Sequence, residues 1–229
     1  MNTYVPDLWS AVNISIKIGV CCVLIGLPIA VPLGWVLARK SFAGKSLLAT
    51  LCMAPVVLPP VVCGFLLLTW LGGDSFLGRL LSGIGLQVPF TFAGAVLAAL
   101  VVGLPFYIMG ARAAFENVDP QYEDIARTCG KTPWQTFVRV SLPLAMPGIS
   151  AGALLAFARA FGEFGATVVV AGNLEGETRS IALAVYTLLE SPDGMSEIWN
   201  LVGVSLGLAF VALMLYEVLM RWQRRRLSI

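Results

Sequence analysis

Two ionisable side chains, Arg159 and Glu163, stand four residues apart in FARAFGEFGAT, residues 157–167, within an otherwise apolar run. That spacing puts them on one helical face within pairing distance, and charged groups inside an apolar span seldom face lipid. Two readings fit: a structural ion pair that locks two spans, or a group that lines or gates a path for a charged solute. In the second, Glu163 neutralises Arg159, while Gly162, Gly165, Ala166 and Thr167 offer small surfaces and neutral donors that would not trap a passing anion. Covalent chemistry has little to work with. There is no histidine and the five cysteines include no C-x-x-C pair, so neither a metal centre, a disulfide framework nor a bound cofactor is expected. Cys21, Cys22, Cys52 and Cys63 read as small packing residues. Gly44-Lys45-Ser46 has the ending of a phosphate-cradling loop, but the glycine required five positions earlier is Arg39 and an apolar stretch, not a strand, leads in. No ATPase site is expected in this chain.

A second polar constellation, DPQYEDIARTCGKTPWQTFVRVSLPLAMPGI, occupies residues 119–149. Asp119 can cap a helix that opens at Pro120, where a missing N–H costs nothing, and Gly130 can end it in a left-handed conformation. About ten residues make about 15 Å of helix, too short to cross a bilayer. Tyr122, Ile125, Ala126 and Cys129 recur at i, i+3, i+4, i+7, so one stripe faces something dry, with Glu123, Asp124 and Arg127 at its rim. Thr132-Pro133-Trp134-Gln135 is a capping box that opens a second short helix, with Trp134, Phe137 and Val138 on one side. Pro143 and Pro147 are expected to break that helix where the next apolar segment begins. Both helices could lie flat on the bilayer or on their own spans, or the first could insert its stripe into a groove on a cytoplasmic partner.

The elements that must position these groups are membrane spans. Of 229 residues, 58% are hydrophobic and 12% charged, about half the charged fraction of an ordinary soluble domain. A crossing helix needs about 20 apolar residues. Residues 10–38, 47–71, 89–111 and 199–220 meet that need, and 144–171 does so apart from Arg159 and Glu163. The first stretch is too long for a secretory signal, is preceded by Asp7 and lacks a cleavage site, so it reads as a retained span. Eleven of the fifteen Lys and Arg fall in alternate connections: Arg39, Lys40 and Lys45; Arg112, Arg127, Lys131 and Arg139; Arg221, Arg224, Arg225 and Arg226. The positive-inside rule makes those connections cytoplasmic, with the N-terminus outside and the C-terminus inside. The expectation is one transmembrane domain over residues 1–229, all-α, with about five spans. Gly148 and Gly152 form a small-xxx-small pattern suited to close helix packing. Ile181, Ala184, Val185 and Leu188 mark a short helix outside the membrane or dipping into its outer face.

Asp124-Ile125-Ala126, three residues, Gly130, nine residues, then Val140-Ser141-Leu142-Pro143 resembles the EAA loop, E-A-A-x3-G-x9-I-x-L-P, of membrane subunits of bacterial binding-protein-dependent ABC importers. Asp124, Ile125 and Val140 depart from the pattern, while the spacing, Gly130, Leu142 and Pro143 match it. The resemblance covers about residues 10–220 and implies a type I importer fold in the bacterial plasma membrane. It makes the first loop helix a coupling helix that fits a groove on an ATPase subunit, with Tyr122, Glu123, Asp124, Ile125, Ala126, Arg127, Gly130, Leu142 and Pro143 as the coupling residues. It also implies a second copy of this chain, two cytoplasmic ABC ATPase subunits and an external oxyanion-binding protein as partners, with no nucleic acid and no catalysis by this subunit. FARAFGEFGAT, Ala171-Gly172-Asn173 and Gly176-Glu177-Thr178-Arg179-Ser180 are similar to the molybdate permease branch, and the sulfate branch is close to it around the same residues. Molybdate is the implied cargo, with tungstate and sulfate as alternatives. A secondary transporter working without ATP is the rival from another class, but neither inverted repeats nor a proton relay is visible.

Overall fold

The computed structural model describes residues 8–191 and 194–227, with side chains as far as residue 222 in the last helix; Asp7, both chain ends and the side chains of Arg224, Arg225 and Arg226 lie outside the described residues. All regular structure among the described residues is helical. In chain order it comprises α1 (Leu8–Arg39), α2 (Lys45–Val57), α3 (Pro60–Leu71), α4 (Phe76–Gly83), α5 (Phe92–Glu116), α6 (Pro120–Thr128) and α7 (Pro133–Thr136). A π turn (Phe137–Ser141), α8 (Leu142–Phe161), α9 (Gly165–Ala171), α10 (Ile181–Leu189) and α11 (Met195–Leu227) follow. Helices are the form that leaves no backbone donor unpaired in lipid. Four of them are long and apolar enough to cross a membrane, and a fifth is added when the bent α2–α3 pair is counted as one span. That agrees with the five apolar stretches in number, but two differ in shape.

Residues 47–71 are not a straight span. α2 and α3 meet at an angle of 109°, because Pro59 and Pro60 are adjacent and neither can donate the N–H that would carry the helix through. The stretch 144–171 is interrupted as well: α8 ends at Phe161 and α9 starts at Gly165. At its other end the helix begins earlier than hydropathy suggests. Pro143 and Pro147 do not break it, and the helix runs unbroken from Pro133 to Phe161. The π turn explains the difference. Leu142 N–H bonds to Phe137 O, one residue further back than in an α-helix, and the wider turn relieves the clash that Pro143 would make with the preceding turn. Pro147 lies inside α8 and is tolerated there.

α5 is the centre of the molecule, buried along most of its length against α1 on one side and α8 on the other. Small residues set both contacts. A Cβ on Gly34 would lie 2.7 Å from Ala111 Cβ and 2.8 Å from Arg112 N, and Gly152 faces the backbone of Gly110, so these helices touch backbone to backbone as the small-xxx-small pattern leads one to expect. Near the C-terminal end of α1, Ala30, Leu37, Tyr107, Phe115, Val118, Ala145 and Ile149 form one core shared by α1, α5 and α8. A separate cluster of Cys63, Ala98, Val102, Ala166 and Val170 joins α3 and α9 to α5. At the other end of α1, α10 buries Ile181, Ala184 and Leu188 against Ala11 and Val12, in agreement with the spacing read from the sequence.

Candidate functional site

The loop between α5 and α8 is built from local signals. Asp119 accepts from Gln121 N at 2.9 Å and caps α6, with Pro120 in the first turn. At the far end Gly130 has φ +79°, Gly130 N–H bonds to Arg127 O at 2.9 Å and Lys131 N–H to Ala126 O at 3.1 Å, the paired closure of a Schellman motif. Thr132 and Gln135 form the reciprocal capping box that starts α7. Trp134, Trp35 and Phe115 then gather around Phe137, with ring centroids 5.7, 5.4 and 6.0 Å away.

α6 sits on the body differently from its amphipathic pattern. Ala126 is buried, but Tyr122 is 43% exposed and Ile125 60%, and Asp124, Arg127 and Cys129 are also exposed. The inward face is carried instead by Glu123, 6% exposed. Its Oε1 accepts from Arg39 Nε at 2.9 Å and from Ser141 Oγ at 2.9 Å, with Arg127 3.9 Å from Oε2. Glu123 is therefore not a rim residue: it is withdrawn from the surface where its sequence position puts it. Arg39 also donates to Val118 O at 2.7 Å. The result is a short helix whose buried carboxylate is fastened to the body and whose large apolar side chains point away from it. Leu142 and Pro143 open α8 behind this helix, Leu142 packed into the shared core and Pro143 exposed. Arg39 and Ser141 are not among the coupling residues that the sequence resemblance implies. Arg39 reads in the sequence as a basic residue at the end of a span, and nothing in its neighbourhood announces a partner 84 residues away.

The intramembrane pair forms at the break between α8 and α9. Arg159 Nη1 donates to Glu163 Oε2 at 2.6 Å, and Glu163 Oε1 accepts from Ala166 N at 2.8 Å. Glu163 is 2% exposed and the Arg159 side chain 29%. One carboxylate thus neutralises an arginine and satisfies a backbone donor in the first turn of α9. Gly165 is pressed against Pro60 and Val61, and Gly64 against the backbone of Ala166, so the break in one span abuts the break in the other. Thr167 and Ala166 are buried within this chain, while Gly162 is exposed. The AGN and GETRS segments close into one turn. Thr178 Oγ1 accepts from Leu174 N at 3.0 Å, Arg179 Nε donates to Asn173 Oδ1 at 2.9 Å, and Asn173 Nδ2 donates to Thr187 Oγ1 at 2.8 Å.

The fold, a central helix flanked by broken spans with a short polar helix pair between two of them, is shared with solved ABC transporter structures. The inward-facing MetNI methionine ABC transporter matches over 94% of each chain with a TM-score of 0.68 at 16% identity. A bacterial ABC transporter that imports alginate matches over 94% of this chain and 78% of its own, at a TM-score of 0.67 and 18% identity. The chain belongs to the family of binding-protein-dependent transport system inner membrane components, whose model matches residues 30–229. It is 44% identical to the molybdenum transport system permease protein ModB of Escherichia coli over 95% of this chain and 96% of that one. It is 40% identical to ModB of Haemophilus influenzae, over 96% of both. The sulfate transport system permease protein CysT of Escherichia coli is 34% identical over 70% of this chain and 58% of that one. The protein is a multi-pass permease subunit of the inner membrane.

Proposed function

We propose that this chain forms the translocation pathway for molybdate in an ATP-driven importer. Two copies pair around the pathway, two cytoplasmic ABC ATPase subunits dock beneath them, and an external binding protein delivers the oxyanion. The N-terminus lies outside and the C-terminus in the cytoplasm. The observation that carries the reading is the mounting of α6. Tyr122 and Ile125 are presented outward for a partner's groove, while Glu123 holds the opposite face of the helix to the spans. ATP-driven closure of the two ATPase subunits would draw the two α6 helices together and tip the spans between inward and outward opening. Molybdate is favoured over sulfate because near-full-length similarity runs to molybdenum permeases, whereas similarity to the sulfate permease is lower and covers less of both chains.

The pathway half of the proposal assigns Arg159, Gly162, Glu163, Gly165 and Thr167 to the region where α8 and α9 part. An arginine already neutralised by Glu163 attracts a divalent anion without holding it. Ile125→Asp tests the docking half. Burying an isoleucine contributes about 1.5–3 kcal/mol, and a carboxylate in its place costs more. ATPase co-purification and molybdate uptake should both fall at least about tenfold while membrane insertion persists, because 1.4 kcal/mol is already a factor of ten. Undiminished co-purification with normal uptake would overturn the docking role. Uptake of sulfate in preference to molybdate would leave the docking and replace the cargo.

A further inference from the structure

We infer that Arg39 and Ser141 are positioning residues that, through Glu123, make α1 and α8 move with α6 as one body. The inference rests on the reading of α6 as the docking helix. It adds which spans receive the pull and through which atoms.

The atoms are specific. Arg39 is the last residue of α1, Ser141 is the last residue of the π turn that leads into α8, and a single oxygen of Glu123 accepts from both. Arg39 spans the start of α6, donating to Val118 O before the cap and to Glu123 in the first turn beyond it. The side chains of Arg39 and Glu123 are only 12% and 9% exposed, so water does not compete well for these bonds and the attraction is stronger than at a surface. α6 packs chiefly on α7 and the π turn, and a nine-residue helix seated on so little surface would roll under a lateral load if nothing held it. The carboxylate stops that motion. Above it, Leu37, Phe115, Val118, Ala145 and Ile149 join α1, α5 and α8 in one core, and α1 meets α5 backbone to backbone at Gly34. A displacement of α6 is therefore passed directly to three spans, whereas α3 and α9, packed on α5 through a different cluster, receive it chiefly by way of α5. The break between α8 and α9 falls where the spans held to α6 give way to the α3–α9 pair.

The experiment measures molybdate transported per ATP hydrolysed in proteoliposomes that hold this chain, its ATPase subunits and molybdate-loaded external binding protein. Ser141→Ala removes one hydroxyl, and Arg39→Gln removes the charge and the bond to Val118 O; neither touches the exposed face of α6. Both variants should co-purify the ATPase as the unmodified chain does. Uptake per ATP should fall at least about fivefold for Arg39→Gln and by a smaller factor for Ser141→Ala, the lower end of an ordinary coupling energy. If Arg39→Gln fails to accumulate in membranes, the fall in Ser141→Ala alone decides. Uptake per ATP equal to that of the unmodified complex in both variants overturns this inference alone. Loss of ATPase co-purification also overturns it, because the clamp would then be part of the docking surface. Absence of ATP-dependent uptake in the unmodified complex overturns the functional reading and this inference together.

Discussion

At the scale of single residues, Gly130 and Glu163 are the most informative. Gly130 has φ +79° and nothing within 4 Å of the position a Cβ would take, so a substitution there meets backbone strain and no collision. Gly130→Val should cost at least about 1 kcal/mol locally and misdirect α6, whereas Gly130→Asn, which tolerates the left-handed region, should cost less. The check is molybdate uptake normalised to the amount of chain in the membrane: Asn retaining more than Val supports a conformational role, and equal loss in both points to contact with a partner instead. Glu163→Gln leaves Arg159 without its counter-charge while keeping an acceptor for Ala166 N, so it should slow uptake and spare ATPase pull-down. Unchanged uptake would remove the pair from the transport cycle. The residues of this pair were legible, because i, i+4 spacing inside an apolar run is a local signal. The partners of Glu123 were not. An amphipathic count puts Tyr122 and Ile125 on a dry face, which the chain's own spans or a partner's groove could supply, and only the fold brings Arg39 and Ser141 to the carboxylate that decides which face turns inward.

At the scale of elements, the same sequence signals succeeded at helix ends and failed inside spans. α6 and α7 were legible because Asp119, Pro120, Gly130, Thr132 and Gln135 act within a few residues of themselves. Hydropathy, by contrast, averages over a window and does not register direction, so Pro59 and Pro60 went unread as a 109° bend and Gly162 unread as the end of α8. The opposite error occurred at Pro143, where a break was expected and a π turn absorbed the proline instead. The contact between the two broken spans depends on Gly64, whose Cβ would lie 2.8 Å from Ala166 O and 2.9 Å from Ala166 Cα. Those are backbone atoms that cannot swing aside. Gly64→Val should therefore separate α3 from α9 and destabilise the protein by about 1–3 kcal/mol. A lowered unfolding midpoint in detergent is the expected result, and an unaltered midpoint would show that the two helices are free to part.

At the scale of the whole molecule, the alternation of basic residues sets an orientation that chemical labelling can test. Exposure in the fold sets where probes can be placed. Thr178 is fully buried, but Gly176 beside it is exposed, as are Asp74 before α4 and the native Cys129 after α6. With the other four cysteines replaced, Cys129 should react with an impermeant thiol reagent only after the cytoplasmic face is opened, and cysteines at 74 or 176 should react from outside intact cells. Labelling of Cys129 from outside would reverse the orientation and move α6 away from any cytoplasmic ATPase.

The central claim is that a pull on α6, powered by ATP in another subunit, drives an oxyanion through this chain. Its most direct test is radiolabelled molybdate accumulation in proteoliposomes containing the chain and its ATPase subunits, with molybdate-loaded binding protein at the external face and ATP at the cytoplasmic face. Accumulation should require ATP hydrolysis and the binding protein, and should collapse when Ile125→Asp replaces the native chain. Accumulation that proceeds without ATP, or that survives Ile125→Asp undiminished, would contradict the account.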